Sequence, residues 1–487
     1  MNSSQRIIKN SLILLSSHIF TKLINLALVL ILTRMLGAAG FGIYNFSLAF
    51  VALFMVIGNL GINSLLTRDV ARDKSRINSF LGHSIPFLIL LSGLAFLVIN
   101  VSVSFIAWDQ ASKTAIRIFS VYLVFDNFSR HFISVFRAFE KMEYEAYTNL
   151  IERIAMLLTA VLLWRFNQSL FLLLWIFAGI EFIKAGTAFI FMRRFFKKVE
   201  WKWFGPQTVT LIRQSFPFAL MAVFGTVSGR IDTVMLKIFH TDLLVGFYNA
   251  AHKLIESLIF IPENLNLVLF PAFAVLFFQN RLQFQKTFDR TFLFLSVLAF
   301  PISAGLFILA PQIIHLLFQP EYSPASIALQ WLGLALGLVF FKFLFATTLN
   351  AIGKQHIFAG IAAASMVVNV VFNYLFIPKL GVFGASFATV LSEATAVIFT
   401  YIFVQRAINH SPSLAVIFKP LLATAVMCLG ILWIRNLNIF ILVAIAVVIY
   451  SAMILLLKTF SKQDLRYFMD LFRKKFGQRR KTEKEEN

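Results

Sequence analysis

Seven bases and six acids stand inside stretches of this sequence that are otherwise apolar: Lys22, Arg130, Arg153, Lys184, Arg230, Lys253 and Lys342, and Asp126, Glu152, Glu181, Asp232, Glu256 and Glu393. In hydrocarbon each such charge costs roughly 2.5–3.5 kcal/mol, so each needs a partner or a task. Spacing sorts them. Asp126 and Arg130 are i, i+4 and share a helix face; Glu181–Lys184 and Glu152–Arg153 are also close enough to neutralise one another. Arg230 and Asp232, in the run SGRID, are i, i+2 and cannot share a face, so Arg230 is not consumed by Asp232. Lys22 has Asn25 one turn on, and Lys253 comes directly after His252. Fixed cations gathered in a low-dielectric cavity are what a pyrophosphate requires. Lys22, Arg230 and Lys253 lead that reading, with Arg153 and Lys342 behind them. Asn25, Asn249 and Asn350 can hydrogen-bond sugar hydroxyls or hold helices together. Asp232, Glu152 and Glu256 are the acids available to couple transport to a proton or a sodium ion.

Other chemistries find no support. The sequence has no P-loop, no HExxH and no G-x-S-x-G. Its eight His are scattered, and Cys428, the single cysteine, sits in an apolar run as a small hydrophobe. ATP hydrolysis on this chain, metal sites, cofactors and enzymatic turnover are therefore not expected.

The elements that must position these charges are membrane helices. Hydrophobic residues make up 59% of the chain and charged ones 14%, where a soluble domain carries about 25% charged. Mean hydropathy is +0.82, and Phe alone contributes 58 residues. Apolar runs long enough to cross a ~30 Å core fall near 10–33, 41–66, 83–107, 115–136, 146–165, 170–192, 214–237, 246–278, 288–311, 327–349, 357–377, 383–405, 414–434 and 438–458. The first reads as a span and not as a cleavable leader. Fourteen spans put both termini on one side. Most Lys and Arg then fall in that side's loops, among them Arg68 to Arg76, Arg193 to Lys202 and the tail after Lys458. By the positive-inside rule that side is cytoplasmic. The net charge of +22 is thus topological, and a nucleic-acid partner is not expected.

The chain repeats itself. Lys9-Asn10-Ser11 echoes in Arg213-Gln214-Ser215, and at the same offset Gly42-Ile43-Tyr44-Asn45 echoes in Gly246-Phe247-Tyr248-Asn249. Six spans separate the copies, so the halves are parallel repeats about an axis along the membrane normal. The fold expected is all-α and polytopic: two six-helix lobes plus two C-terminal helices. The boundaries expected are an N-lobe at 1–196, a cytoplasmic linker at 197–212, a C-lobe at 213–410, helices 13 and 14 at 411–460, and a basic tail at 461–487 lying on the anionic inner surface.

Three stretches carry a resemblance. They are LTRMLGAAGFGIYNFSLAFVALF with TRDVARD after it; RIDTVMLKIFHTDLLVGFYNAAHKLIESLIFIPENLNLVLFPAF; and NAIGKQH with NVVFNYLFIPKLGVFGASFATVLSE after it. With the fourteen-span pattern, the chain resembles the Wzx-type polysaccharide or O-antigen flippases. These belong to the multidrug/oligosaccharidyl-lipid/polysaccharide exporter superfamily, which also holds the MATE exporters and the lipid II flippases. The resemblance implies two lobes around a cationic cavity and alternating access. It implies a polyprenyl-pyrophosphate oligosaccharide as substrate, the repeat unit of an O-antigen, capsule or exopolysaccharide. It implies the cytoplasmic (inner) membrane, with membrane lipid and polysaccharide polymerase or assembly proteins as partners. Residue by residue it points to Arg230, Asp232, Lys253 and Lys22. Peptidoglycan-precursor flippases usually carry several arginines in spans 1 and 2; here span 1 offers Lys22 and Arg34, and span 2 has no central base. The alternatives are a MATE-like drug or cation exporter, a lipid II flippase, and a scaffold in a polymer-assembly complex.

Overall fold

A computed structural model describes residues 3–166, 168–195, 205–412 and 415–460, with the side chains of the first helix described from Ile19 on. Among these residues the chain is helical, without a strand. The helices are α1 (Ser3–Asn59), α2 (Ile62–Arg72), α3 (Ile77–Phe105), α4 (Gln110–Ala138), α5 (Met142–Phe166), α6 (Leu170–Met192), α7 (Pro206–Phe239), α8 (Asp242–Leu258), α9 (Phe260–Gln279), α10 (Arg281–Leu317), α11 (Ala325–Ala351), α12 (Gln355–Ile408), α13 (Ala415–Trp433) and α14 (Ile439–Leu456).

Eleven of the described helices are long and apolar enough to cross a bilayer, α8 and α9 running together as one. Two of the eleven are double. Gly37 (φ 65, ψ 179) breaks α1 and Gly381 (φ 54, ψ −125) breaks α12, and each arm is long enough to cross by itself. Only glycine takes such angles without strain. Arg117, Asp126 and Arg130 lower the hydropathy of α4, which packs against α3 and α6 as a further crossing. The fourteen spans read from the sequence are thus present. Two boundaries differ. The second span ends at Asn59 and not near residue 66, because Leu60 (φ 44) and Gly61 (φ 74) turn the chain. The amphipathic α2 comes after that turn, with Ile62, Leu65, Leu66 and Val70 buried and Arg72 exposed. The eighth span is α8 and α9 joined at Ile259. Most of the proposed linker and the whole tail at 461–487 lie outside the described residues.

The helices gather into two compact units. One holds residues 1–260, 314–332 and 359–396; the other holds 261–313, 333–358 and 397–487. In the second, rings of Phe273, Phe284, Phe288, Phe345 and Tyr401 stack in series, and α13 packs on α14. In the first, α1 packs against α8, α5 and α4. Lipid is as apolar as Leu, so close contact and polar bonds hold such helices together, not water exclusion.

A very close approach within the first unit uses the repeated motif. A Cβ on Gly42 would strike the carbonyl oxygen of Asp242, and a Cβ on Gly246 would strike that of Ala38. Ala38 and Gly42 occupy the repeat positions of Asp242 and Gly246, so the contact is reciprocal, as between two-fold-related elements. Gly246→Val is expected to keep the helices apart. It should lower the Tm of the purified protein by several degrees, whereas Gly225→Ala, which meets nothing within 4 Å, should leave it unchanged.

Candidate functional site

Three of the cations named from sequence come together around Glu256. Lys253, one turn earlier on α8, donates to its Oε2 at 2.7 Å. Arg230 of α7 stands 3.8 Å from Oε1, and His252 Nδ1 3.7 Å from the same oxygen. Lys22 of α1 donates to the backbone carbonyl of Glu256 at 3.1 Å. That carbonyl is in the last turn of α8, where helix carbonyls lack intrahelical partners and attract cations. Two bases face the carboxylate and a third, Lys22, faces the backbone carbonyl beside it, so one acid answers three cations in the cluster. None of the group is sealed: Lys253 is 16% exposed, Arg230 28% and Glu256 31%. Along α8 the cluster lies about 10–15 Å from the glycine contact.

A second centre is the carboxylate of Asp232, buried at 5% exposure. Tyr248 donates its hydroxyl to Oδ2 at 2.7 Å, Thr389 donates to Oδ2 at 3.2 Å, and Asn373 donates its amide to Oδ1. Asn373 also donates to Asn369 at 3.0 Å, and Asn369 to Ser392 at 3.4 Å. Every donor is neutral, and no base lies within 4 Å of Asp232 among the described residues. The i, i+2 reasoning holds: Arg230 turns to Glu256 and Asp232 to α12. The two centres communicate along one face of α8. The ring of Tyr248 stacks on His252 at 5.7 Å, and His252 borders Glu256; residues 248, 252 and 256 are one turn apart.

The remaining charges are spent within the bundle. Lys184 is held between Glu152 at 2.8 Å and Glu181 at 3.4 Å, with both acids at most 1% exposed on their side chains. Asp126 pairs with Arg130 at 2.7 Å. Glu152, an ion-coupling candidate from sequence, is therefore fixed in a buried triad. Arg153 sits 3.6 Å from Glu152 and within electrostatic reach of Lys253, at the rim of the cation cluster. Asn249 bonds within the bundle: it is 1% exposed, donates to Val245 at 2.9 Å and accepts from Thr233 at 3.2 Å. Asn25 is half-buried on α1, three residues from Lys22. Lys342 and Asn350 are half-buried on α11 in the second unit. Tyr248, Asn373 and Thr389 were not singled out from sequence, although Tyr248 belongs to the repeated G-x-Y-N and Asn369 and Asn373 are i, i+4.

The end of the first unit that carries the glycine contact is latched by polar groups. Lys237 bridges Asp109 at 2.7 Å and Asp242 at 2.6 Å. Glu321 accepts from the N–H of Ala38 at 2.9 Å, capping the second arm of α1 just past its break. His240 bonds at 2.7 Å to the carbonyl of Ile377, which the kink at Gly381 deprives of its helical donor. Partial burial raises the Asp109 pKa, but hydrogen bonds from Lys237 and from the Ser112 N–H outweigh it and hold the carboxyl at about 2. A depressed carboxylate stabilises the fold above its ordinary value and loses that effect as the pH falls towards its folded value. The Tm difference between wild type and Asp109→Asn should thus be constant from about pH 4 to 8 and shrink only below that range.

A family model of polysaccharide biosynthesis proteins matches residues 7–277, and a second, MatE, matches 217–375. The capsular polysaccharide biosynthesis protein CapF of Staphylococcus aureus is 22% identical over 409 residues, 82% of this chain and 99% of CapF. The probable flippase AglR of Haloferax volcanii is 25% identical over 42% of this chain. The match spans less than half of two archaeal relatives: 44% of AglR, and 41% of the uncharacterized membrane protein MJ1068 of Methanocaldococcus jannaschii. The solved structure of the lipid II flippase MurJ in an inward closed conformation has the same fold, with a TM-score of 0.73, 16% identity, and coverage of 92% of this chain and 99% of that one. A multi-pass helical bundle matched over more than half its length by that first model identifies the chain as a member of the polysaccharide biosynthesis protein family.

Proposed function

We propose that the protein moves a polyprenyl-diphosphate-linked oligosaccharide from the cytoplasmic to the outer leaflet of the cytoplasmic membrane by alternating access. The observation that carries this reading is the convergence of Lys22, Arg230 and Lys253 on Glu256. The diphosphate binds there, with Arg153 at the rim and Asn25 beside the first sugar, while the prenyl chain stays in lipid. Both termini face the cytoplasm, and the latched end of Lys237, Glu321 and the paired glycines is the outer end. Exporting an anion is favoured by an inside-negative potential, at about 2.3 kcal/mol per charge per 100 mV. Asp232 is the coupling acid: a buried carboxylate ringed by neutral donors is satisfied by taking up a proton or a sodium ion. Its occupancy is passed along Tyr248 and His252 to Glu256.

The test is lectin accessibility of a fluorescent polyprenyl-diphosphate oligosaccharide in proteoliposomes. Transfer above that of protein-free vesicles, slowed by Arg230→Ala, supports the reading; wild type matching empty vesicles with the source organism's own sugars sinks it. One observation favours a second reading, export of a cationic drug: Asp232 is a buried acid with no base within 4 Å among the described residues. Dye resistance conferred on an efflux-deficient strain, and lost in Asp232→Asn, would favour that reading instead.

A further inference from the structure

We propose that Glu256 is the resident counter-anion of the cation cluster: the substrate diphosphate displaces it on binding, and it returns when the substrate leaves. This rests on the cationic-site reading above. The Glu256 carboxylate occupies the place a phosphate would take. Its two oxygens serve different cations, Oε2 the Lys253 ammonium at 2.7 Å, and Oε1 the guanidinium of Arg230 at 3.8 Å and the ring of His252 at 3.7 Å. The fit is loose. Arg230 stands beyond hydrogen-bonding distance and keeps its donors for a better acceptor. Glu152 and Glu181, by contrast, are sealed around Lys184 and cannot leave. At 31% exposure, in the last turn of α8 before the joint at Ile259, Glu256 is held by one direct bond and has room to swing away.

An anion of this kind answers a problem every cationic carrier has. Three bases in a low-dielectric bundle cannot be left without a counter-charge on the empty return stroke. Fixed, tight acids would block the substrate, and no acid would make the site hold it too well to release. A displaceable carboxylate supports the empty state and weakens binding enough for departure. It raises turnover by lowering affinity, so its removal has a signature that a merely structural glutamate would not give.

The experiment is isothermal titration of the full-length protein in nanodiscs with inorganic pyrophosphate at fixed pH and ionic strength, beside proteoliposome transfer. Glu256→Gln keeps the shape and removes the charge. It is expected to bind pyrophosphate about tenfold more tightly than wild type, while repeated turnover falls about tenfold. Should the glutamine variant fail to fold, Glu256→Asp, which shortens the arm and loosens the Lys253 bond, is expected to tighten binding about threefold. Wild type that binds pyrophosphate while the variants bind it no more tightly overturns this inference and leaves the cationic site standing. Absence of saturable binding to any of these proteins overturns both.

Discussion

Arg230→Ala combined with Lys253→Ala is expected to lower transfer of the lipid-linked oligosaccharide at least about a hundredfold, since each charge-assisted bond to the diphosphate is worth roughly 1.5–3 kcal/mol. The two bases reach the same point from different helices, one on α7 and one on α8, so neither can stand in fully for the other. Single alanine variants should each cost about tenfold or more. The double variant strands Glu256 as an uncompensated carboxylate, and part of the loss could come from that group alone. Adding Glu256→Gln separates the two causes. If the triple variant matches Glu256→Gln alone, the bases were serving Glu256 and not the substrate; if it falls at least about tenfold below Glu256→Gln alone, they serve the substrate. The lectin-accessibility assay reads both, and a double variant retaining more than half the wild-type rate would remove these residues from the site.

Asp232→Asn should uncouple the protein without unfolding it. Asparagine keeps one acceptor for Tyr248 and Thr389, removes the charge, and sets an NH2 against the Asn373 amide, which must turn its oxygen towards it. Transfer is then expected to become independent of an imposed proton or sodium gradient and to run about tenfold slower than wild type under a gradient of about tenfold, which supplies about 1.4 kcal/mol. Imposing the gradients one at a time on wild type shows which ion is used. Asp232→Asn that still follows the gradient would move the coupling site elsewhere. Its rate without any gradient should match wild type, because the cation cluster is untouched. Asp232→Leu, in contrast, should lower the Tm by several degrees by taking the acceptor from the buried Tyr248 hydroxyl.

Much of this was legible in the residues. Apolar runs of bilayer length read as spans, so about fourteen crossings and an all-α fold came out of hydropathy and charge placement, and the transporter reading came from the resemblance. The repeat was visible in G-x-Y-N, and helical periodicity separated Arg230 from Asp232 and paired Asp126 with Arg130. These conclusions share one physical basis: backbone geometry fixes which residues within about four positions are neighbours. Beyond that distance only packing decides. Lys184 turned to Glu152, 32 residues away, more closely than to Glu181 on its own helix. Asp232 found its donors at Asn373 and Thr389, on the two arms of a helix broken at Gly381. Glu256, read from sequence as one acid among several, became the centre of the cation cluster because α1, α7 and α8 meet there. Composition and periodicity alone determined that this chain is a polytopic membrane protein with charges inside its spans; the tertiary contacts decided which bases meet and which acid answers them, because a partner's distance across a helix interface is written in the packing of both helices and in neither sequence run by itself.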